Sequence, residues 1–195
     1  MNNPDKKATF SVIIAVHDQE QELEQNLPLL LTQQYDGDYE VIIVDESSSD
    51  GTVDVLKKLK TSHQHLYSTF LPKYHFQKNR RRLALTIGVK AAKYEWVIFA
   101  DIDKSPLSET WLQELASFAC TPTTLLLGYI KRKKNDVRLS TFEDVSSARR
   151  IVGQAEHWRA TGKGQLMKYL RRNRNYDFIM VRTQQGHETL KFFEG

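Results

Sequence analysis

Cysteine is nearly absent. Cys120 stands alone among 195 residues, so no internal disulfide can form. It lies in Ala-Ser-Phe-Ala-Cys at the end of a predicted helix and reads as a small buried hydrophobe, in keeping with a reducing compartment. Long apolar runs are missing too. Leu29–Leu31 and Leu125–Ile130 fall far short of the roughly 20 residues that cross a bilayer. Met1–Lys7 is polar and no apolar h-region of the signal-peptide kind follows, so no secretory signal is expected. Repeats and low-complexity tracts are absent, which excludes solenoids and biased tails.

What is present suits an ordinary core. Hydrophobic residues make up 40% of the chain and charged residues 27%, which argues against general disorder. The net charge is +4, unevenly spread. Lys131–Lys134, Arg149, Arg150, Arg171, Arg172 and Arg174 form a basic second part, while acidic clusters gather earlier. Such a part suits phosphates or an anionic membrane face, and equally a solvated loop and helix face. No aromatic platform accompanies these tracts, so a nucleic-acid partner is not expected.

Strand and helix patterns alternate over the first two thirds. Phe10–Val16, Tyr39–Val44 and Trp96–Ala100 are near-continuous apolar runs, and Leu66–Leu71 is a weaker one. Between them, helices are predicted over Gln19–Gln34, Val53–Leu59 and Arg81–Ala92. Asp18 is the predicted cap of the first, with a kink at Pro28. A further helix opens at Pro106 and Ser108 and runs through Phe118, and Thr124–Tyr129 is another strand. Beyond residue 130, helices are expected over Phe142–Arg159, Gln165–Arg171 and His187–Phe193, with a strand over Tyr176–Arg182. The fold class that follows is α/β, with a mostly parallel central sheet covered by helices on both faces.

Ligands of such sheets bind beyond the carboxyl ends of the strands. The polar stretches His17–Glu20, Asp45–Asp50 and Asp101–Asp103 all fall there. In an extended chain Asp101 and Asp103 would point the same way and Ile102 the other. Two hard oxygen donors at a strand end suit a divalent cation and the diphosphate it holds. Asp36-Gly37-Asp38 has the same spacing but precedes a strand and reads as a solvated turn.

These segments carry a family resemblance. Ser11–Glu20, Glu40–Thr52, Arg81–Val89 and Phe99–Asp103 stand in the order and spacing found in family 2 glycosyltransferases of the GT-A fold. Pro106, Ser108 and Trp111 add to it, and the likeness covers residues from about 9 to 130. The resemblance implies a single domain over 1–195. Residues 1–130 would bind the nucleotide sugar and 131–195 would form the acceptor side.

It also implies roles. Val16 and His17 line the base and ribose pocket, with Glu20 at its rim. Asp45 accepts from the nucleobase ring N–H. Arg81 or Arg82 stands near the phosphates. Asp103, with Asp101 nearer the ribose, forms the metal site for Mg2+ or Mn2+. Plain structural roles stay open beside these: a helix cap for Asp45, a packed polar side chain for His17, a solvated helix start for Arg80–Arg82, helix–sheet packing for Gly88.

The implied reaction is inverting transfer of a sugar from a UDP- or GDP-linked donor to a glycan or lipid-linked acceptor in envelope polysaccharide synthesis. The implied setting is cytoplasmic, with peripheral membrane contact. Such an enzyme needs a carboxylate base. Where members carry an acidic cluster after a glycine, this chain reads Gly186-His187-Glu188, which makes Glu188 the candidate base or else a solvated glutamate. The Gln-x-x-Arg-Trp motif of processive members is missing. An alternative is therefore a degenerate domain that binds nucleotide sugar without transfer. A nucleotidyltransferase is disfavoured, because residues 16–22 lack a glycine-rich basic loop.

Overall fold

The computed structural model describes residues 7–73, 80–104, 108–119, 125–132, 138–141 and 178–183. Strands β1 (Phe10–Val16), β2 (Tyr39–Asp45), β3 (Leu66–Phe70), β4 (Trp96–Ala100), β5 (Leu125–Arg132), β6 (Arg138–Thr141) and β7 (Phe178–Arg182) form one sheet of order β3-β2-β1-β4-β7-β5-β6. β1 pairs in parallel with both β2 and β4, and β2 in parallel with β3. β7 inserts antiparallel between β4 and β5, and β6 closes that edge antiparallel to β5. Strands β1 to β5 therefore all run one way, so the sheet is mostly parallel as expected.

Helices α1 (Glu20–Leu31), α2 (Thr52–Ser62), α3 (Arg80–Ala91) and α4 (Trp111–Ala116) cover the sheet. Strand alternation divides the core between its two faces. Val12, Ile14, Val41, Ile43 and Ile98 pack with Leu23, Leu27, Leu30 of α1 and Trp111, Leu112 of α4. Ile13, Ala15, Ile42, Val44 and Val97 pack with Ala84, Leu85 and Val89 of α3. β1, β2 and β4 bury both sides, which is why these segments read as unbroken apolar runs. Gly88 brings α3 down onto β1: a Cβ there would collide with Cγ2 of Ile13. The packing reading of that glycine fits the close approach.

Several local expectations change. Asp18 does not cap α1; Gln19 occupies that position without a side-chain bond, and Asp18 sits at φ 50. Its carboxylate is drawn instead to the loop after β2. α1 runs through Pro28 and stops at Leu31, so Gln33 is free to turn inward. Gln33 donates to the carbonyls of Leu29 and Ser108 and accepts from the N–H of Leu112, tying α1 to α4. α4 begins at Trp111 rather than near Ser108. The strand expected over Thr124–Tyr129 runs on to Arg132, so that Lys131 and Arg132 of the basic run pair with Leu139 and Arg138. The helices expected over Phe142–Arg159, Gln165–Arg171 and His187–Phe193 lie outside the described residues.

Candidate functional site

The chain leaves β1, builds β2 and β3 on one side, then returns to place β4 on the other. Open α/β sheets bind their ligands at such a reversal, here beyond the carboxyl ends of β1 and β4. Val16 and Asp45 lie level there, and Asp101 follows directly on β4.

The loops after β1 and β2 form the first rim. Asp45 is buried, 4% exposed, and its Oδ1 accepts from the N–H (2.9 Å) and the hydroxyl (2.6 Å) of Ser48. The same hydroxyl oxygen accepts from the N–H of Asp18 at 2.9 Å. Asp18 answers by accepting from Ser49 N–H at 2.6 Å, a bond that holds its carboxyl below the usual carboxylate range. Gln19 N–H donates to Thr52 Oγ1, Glu20 N–H to Asp50 Oδ2, and Gly51 N–H to Glu20 Oε2. Asp50 Oδ1 also takes the N–H of Thr52. The N-termini of α1 and α2 thus cap each other across the loops, satisfying amides that helix starts leave without partners. His17 stands exposed on this rim, its Nε2 3.6 Å from Asp18 Oδ2.

α3 supplies the cations. Arg80 donates to the carbonyl of Glu46 at 2.7 Å and to Ser47 Oγ at 3.1 Å. Ser47 sits at φ 67, and its hydroxyl donates to the carbonyl of Leu71. Arg81 forms an ion pair with Asp101. Glu46 donates its N–H to the carbonyl of Val16 and so lies beside the end of β1. Burial raises its carboxyl above the usual value, and Arg81, Arg80 and His17 pull it only partway back.

The second rim is the acidic turn. Residues Ile102–Lys104 form a 3-10 turn instead of extending β4. The relative direction of Asp101 and Asp103 is therefore set by a turn and not by strand alternation. The reason is tertiary. Ile102 buries its side chain in the α1 face of the core, and its carbonyl accepts from Nδ2 of Asn26 at 2.9 Å. Asp101 is half-buried and Asp103 exposed.

Comparison with known proteins identifies the family and the fold. The profile described as "Glycosyl transferase family 2" matches residues 11–184. The chain belongs to that family. Poly-beta-1,6-N-acetyl-D-glucosamine synthase of Staphylococcus aureus is 28% identical over 102 residues, 52% of this chain and 23% of that protein. Chondroitin synthase of Escherichia coli is 26% identical over 149 residues, 74% of this chain and 20% of that protein. The chain thus spans under a quarter of the length of these curated relatives.

Solved structures share the fold. A mannosyltransferase of Pyrobaculum calidifontis, in complex with GDP-Man and Mn2+, superposes with a TM-score of 0.54 at 22% identity, over 68% of this chain and 38% of that one. TarS 1-349 of S. aureus, in complex with UDP-GlcNAc, superposes with a TM-score of 0.53 at 26% identity, over 66% and 36%. The central sheet with helices on both faces is the GT-A arrangement of these glycosyltransferases.

In this family 2 chain, Val16 and His17 stand at the end of β1, Asp45 at the end of β2 and the Arg81–Asp101 pair at the end of β4, with Asp103 on the adjoining turn. Arg82 is half-buried, and its carbonyl accepts the Thr86 hydroxyl. Glu20 is committed to Gly51, close enough that a Cβ at residue 51 would collide with its carboxylate. Glu188 lies outside the described residues. Sequence reasoning assigned no role to Asn26, Ser48 or Glu46. Asn26 had a signal: it interrupts the apolar stripe Leu23, Leu27, Leu30 with an amide on the buried face.

The family implies a divalent cation, and the donor set can be tested against it. Among the described residues no group of three or more His, Cys, Asp or Glu could hold a metal. An all-protein cage is thereby excluded for those residues. Two carboxylates at 101 and 103 fit a cation that completes its shell with phosphate oxygens, as Mg2+ and Mn2+ do.

Proposed function

We propose that this chain transfers a sugar from a nucleoside diphosphate donor to a glycan or lipid-linked acceptor, with inversion and with help from Mg2+ or Mn2+. The observation that supports the reading is that Asp45, the Arg81–Asp101 pair and Asp103 follow the carboxyl ends of parallel strands on one sheet edge. Asp45 is suited to the nucleobase. Its Oδ1 is held by Ser48, and among the described residues nothing occupies Oδ2, which can accept a ring N–H. His17 and Val16 offer the wall against which base and ribose rest. Arg81 can exchange Asp101 for a phosphate oxygen, since a guanidinium matches either anion.

Asp103, with Asp101, would hold the cation, whose charge offsets the negative charge growing on the departing diphosphate. Glu188 is the proposed base for the acceptor hydroxyl. The named relatives are synthases of polymers, which supports a role in polysaccharide or envelope synthesis. A cytoplasmic setting with peripheral membrane contact through the basic second part belongs to the same proposal. Among the described residues no helix is long and apolar enough to cross a membrane.

The test begins with thermal shifts in UDP-GlcNAc, GDP-mannose and related donors, with and without Mn2+, because a ligand that binds the folded state raises its Tm. With the donor found, Asp103→Ala is expected to abolish Mn2+-dependent donor hydrolysis or transfer. Unchanged turnover in that variant would overturn the reading. The second reading, binding without transfer, draws on Gly186-His187-Glu188 standing where members carry several acids. Calorimetric binding of UDP and Mn2+ with no turnover on a broad acceptor panel would select it.

A further inference from the structure

Asn26 is an unusual residue for its place. It sits mid-helix in α1 on the apolar face, between Leu23 and Leu27, and is only 8% exposed. An amide taken out of water costs free energy unless it finds a partner. The partner here is remote in sequence: Nδ2 donates to the carbonyl of Ile102 at 2.9 Å. That carbonyl belongs to the peptide unit joining the residue between the two acids to Asp103 itself. Ile102 is in turn 1% exposed, clamped by the same α1 face. The turn carrying Asp101 and Asp103 is therefore fixed from below at its centre by one side chain and one amide.

An apolar residue at 26 would suit the packing of α1 as well as asparagine does, so the amide calls for a reason beyond packing. Resting on the cation-assisted reading of the site, we propose that Asn26 is a positioning residue for the cation. By holding the Ile102 carbonyl, it sets the direction in which the Asp103 backbone leaves the turn. It thereby sets the spacing of the two carboxylates that would share a cation with a diphosphate. Groups that orient metal-binding side chains without touching the ion typically change metal affinity by about 10- to 100-fold when removed.

The test separates cation binding from nucleotide binding and from folding. Calorimetry of the full chain measures the affinity for UDP and for GDP, each in MnCl2 and in EDTA. Asn26→Leu keeps the branched shape and removes the donor; Asn26→Ala removes it with a smaller side chain. Both are expected to lose about tenfold in Mn2+-dependent nucleotide affinity while cation-free affinity stays within about twofold. A general packing defect would lower both affinities together, and that outcome overturns the assignment. So does an unchanged Mn2+ dependence in a folded variant.

The unaltered chain offers a second measurement that needs no variant. The side-chain amide resonances of Asn26 are expected to shift on adding Mg2+ with the nucleotide and to stay put with nucleotide alone. If the unaltered chain binds nucleotide with no cation dependence at all, the cation-assisted reading falls, and this inference falls with it. If cation dependence is present but Asn26 does not respond, the positioning role alone is overturned.

Discussion

On the β1–β2 side of the site, two loops hold each other through Asp18, Glu20, Ser48, Asp50 and Thr52, so that each helix start is capped by the other. On the β4 side, the acidic turn is steadied by the Asn26 amide beneath and faced by the Arg81 guanidinium above, itself partly in solvent. The first rim is held together by bonds within the protein. The second rim contains an ion pair that, on the proposed reading, an incoming diphosphate would rearrange. Rigidity on the first rim favours recognition of a planar base, because less ordering is left to be done on binding. Adjustability on the second suits a charged group that must be gripped and then released.

If that contrast holds, changes at the first rim or in the packing beneath the site cost stability, and changes at the second cost binding. The largest loss of stability is expected for Gly88→Ala, since the new methyl meets a β-branched core side chain of β1. Overpacking of this kind costs about 1–3 kcal/mol, read from urea unfolding. Because α3 also carries Arg80 and Arg81, the same variant should weaken nucleotide binding. Next comes Asp50→Ala, which strips acceptors from the N–H groups of Glu20 and Thr52. About 1–2 kcal/mol is expected, the usual worth of a helix cap. A fall in stability with little change in cation dependence would sharpen the contrast. Arg81→Ala is expected to cost under about 1 kcal/mol of stability, because a partly solvated ion pair contributes little. Its effect should appear instead as about tenfold weaker nucleotide affinity, comparable to losing a charge-assisted hydrogen bond. A large drop in Tm for Arg81→Ala would break the contrast.

How much of this was readable beforehand follows the same division. β1 and β4 were found to the residue, because strands buried on both sides leave an unbroken apolar run. The placement of His17, Asp45 and Asp101 at one sheet edge followed from the strand–helix alternation, which makes the strands parallel and their carboxyl ends neighbours. β6 was missed: Arg138–Thr141 has no apolar run, being an edge strand whose partner supplies the pairing. The 3-10 turn at Ile102–Lys104 was missed because its causes are distant, an amide on α1 and a core pocket for Ile102. Asp18 was read as a cap on its own helix because the competing partner, Ser49, lies 31 residues away. Local chemistry predicted the type of bond and not its destination.

The smallest effect expected is also the most discriminating for the site itself. Glu46 is half-buried beside the end of β1, and burial raises its carboxyl above the ordinary value despite Arg81, Arg80 and His17. Its folded pKa thus stands above the unfolded one. The stabilisation that goes with the protonated form is complete below the unfolded value, about 4.3. It fades as pH rises through the folded value. Glu46→Gln keeps the shape and removes the charge. The variant should therefore show a small rise in Tm over the unaltered chain at pH 7, with the gap closing as pH is lowered to 4. A fall in Tm at pH 7 would mean that the arginines more than repay the burial of Glu46. The ion pairs of α3 would then belong to the first rim, and Arg81 would not be held in reserve for a phosphate.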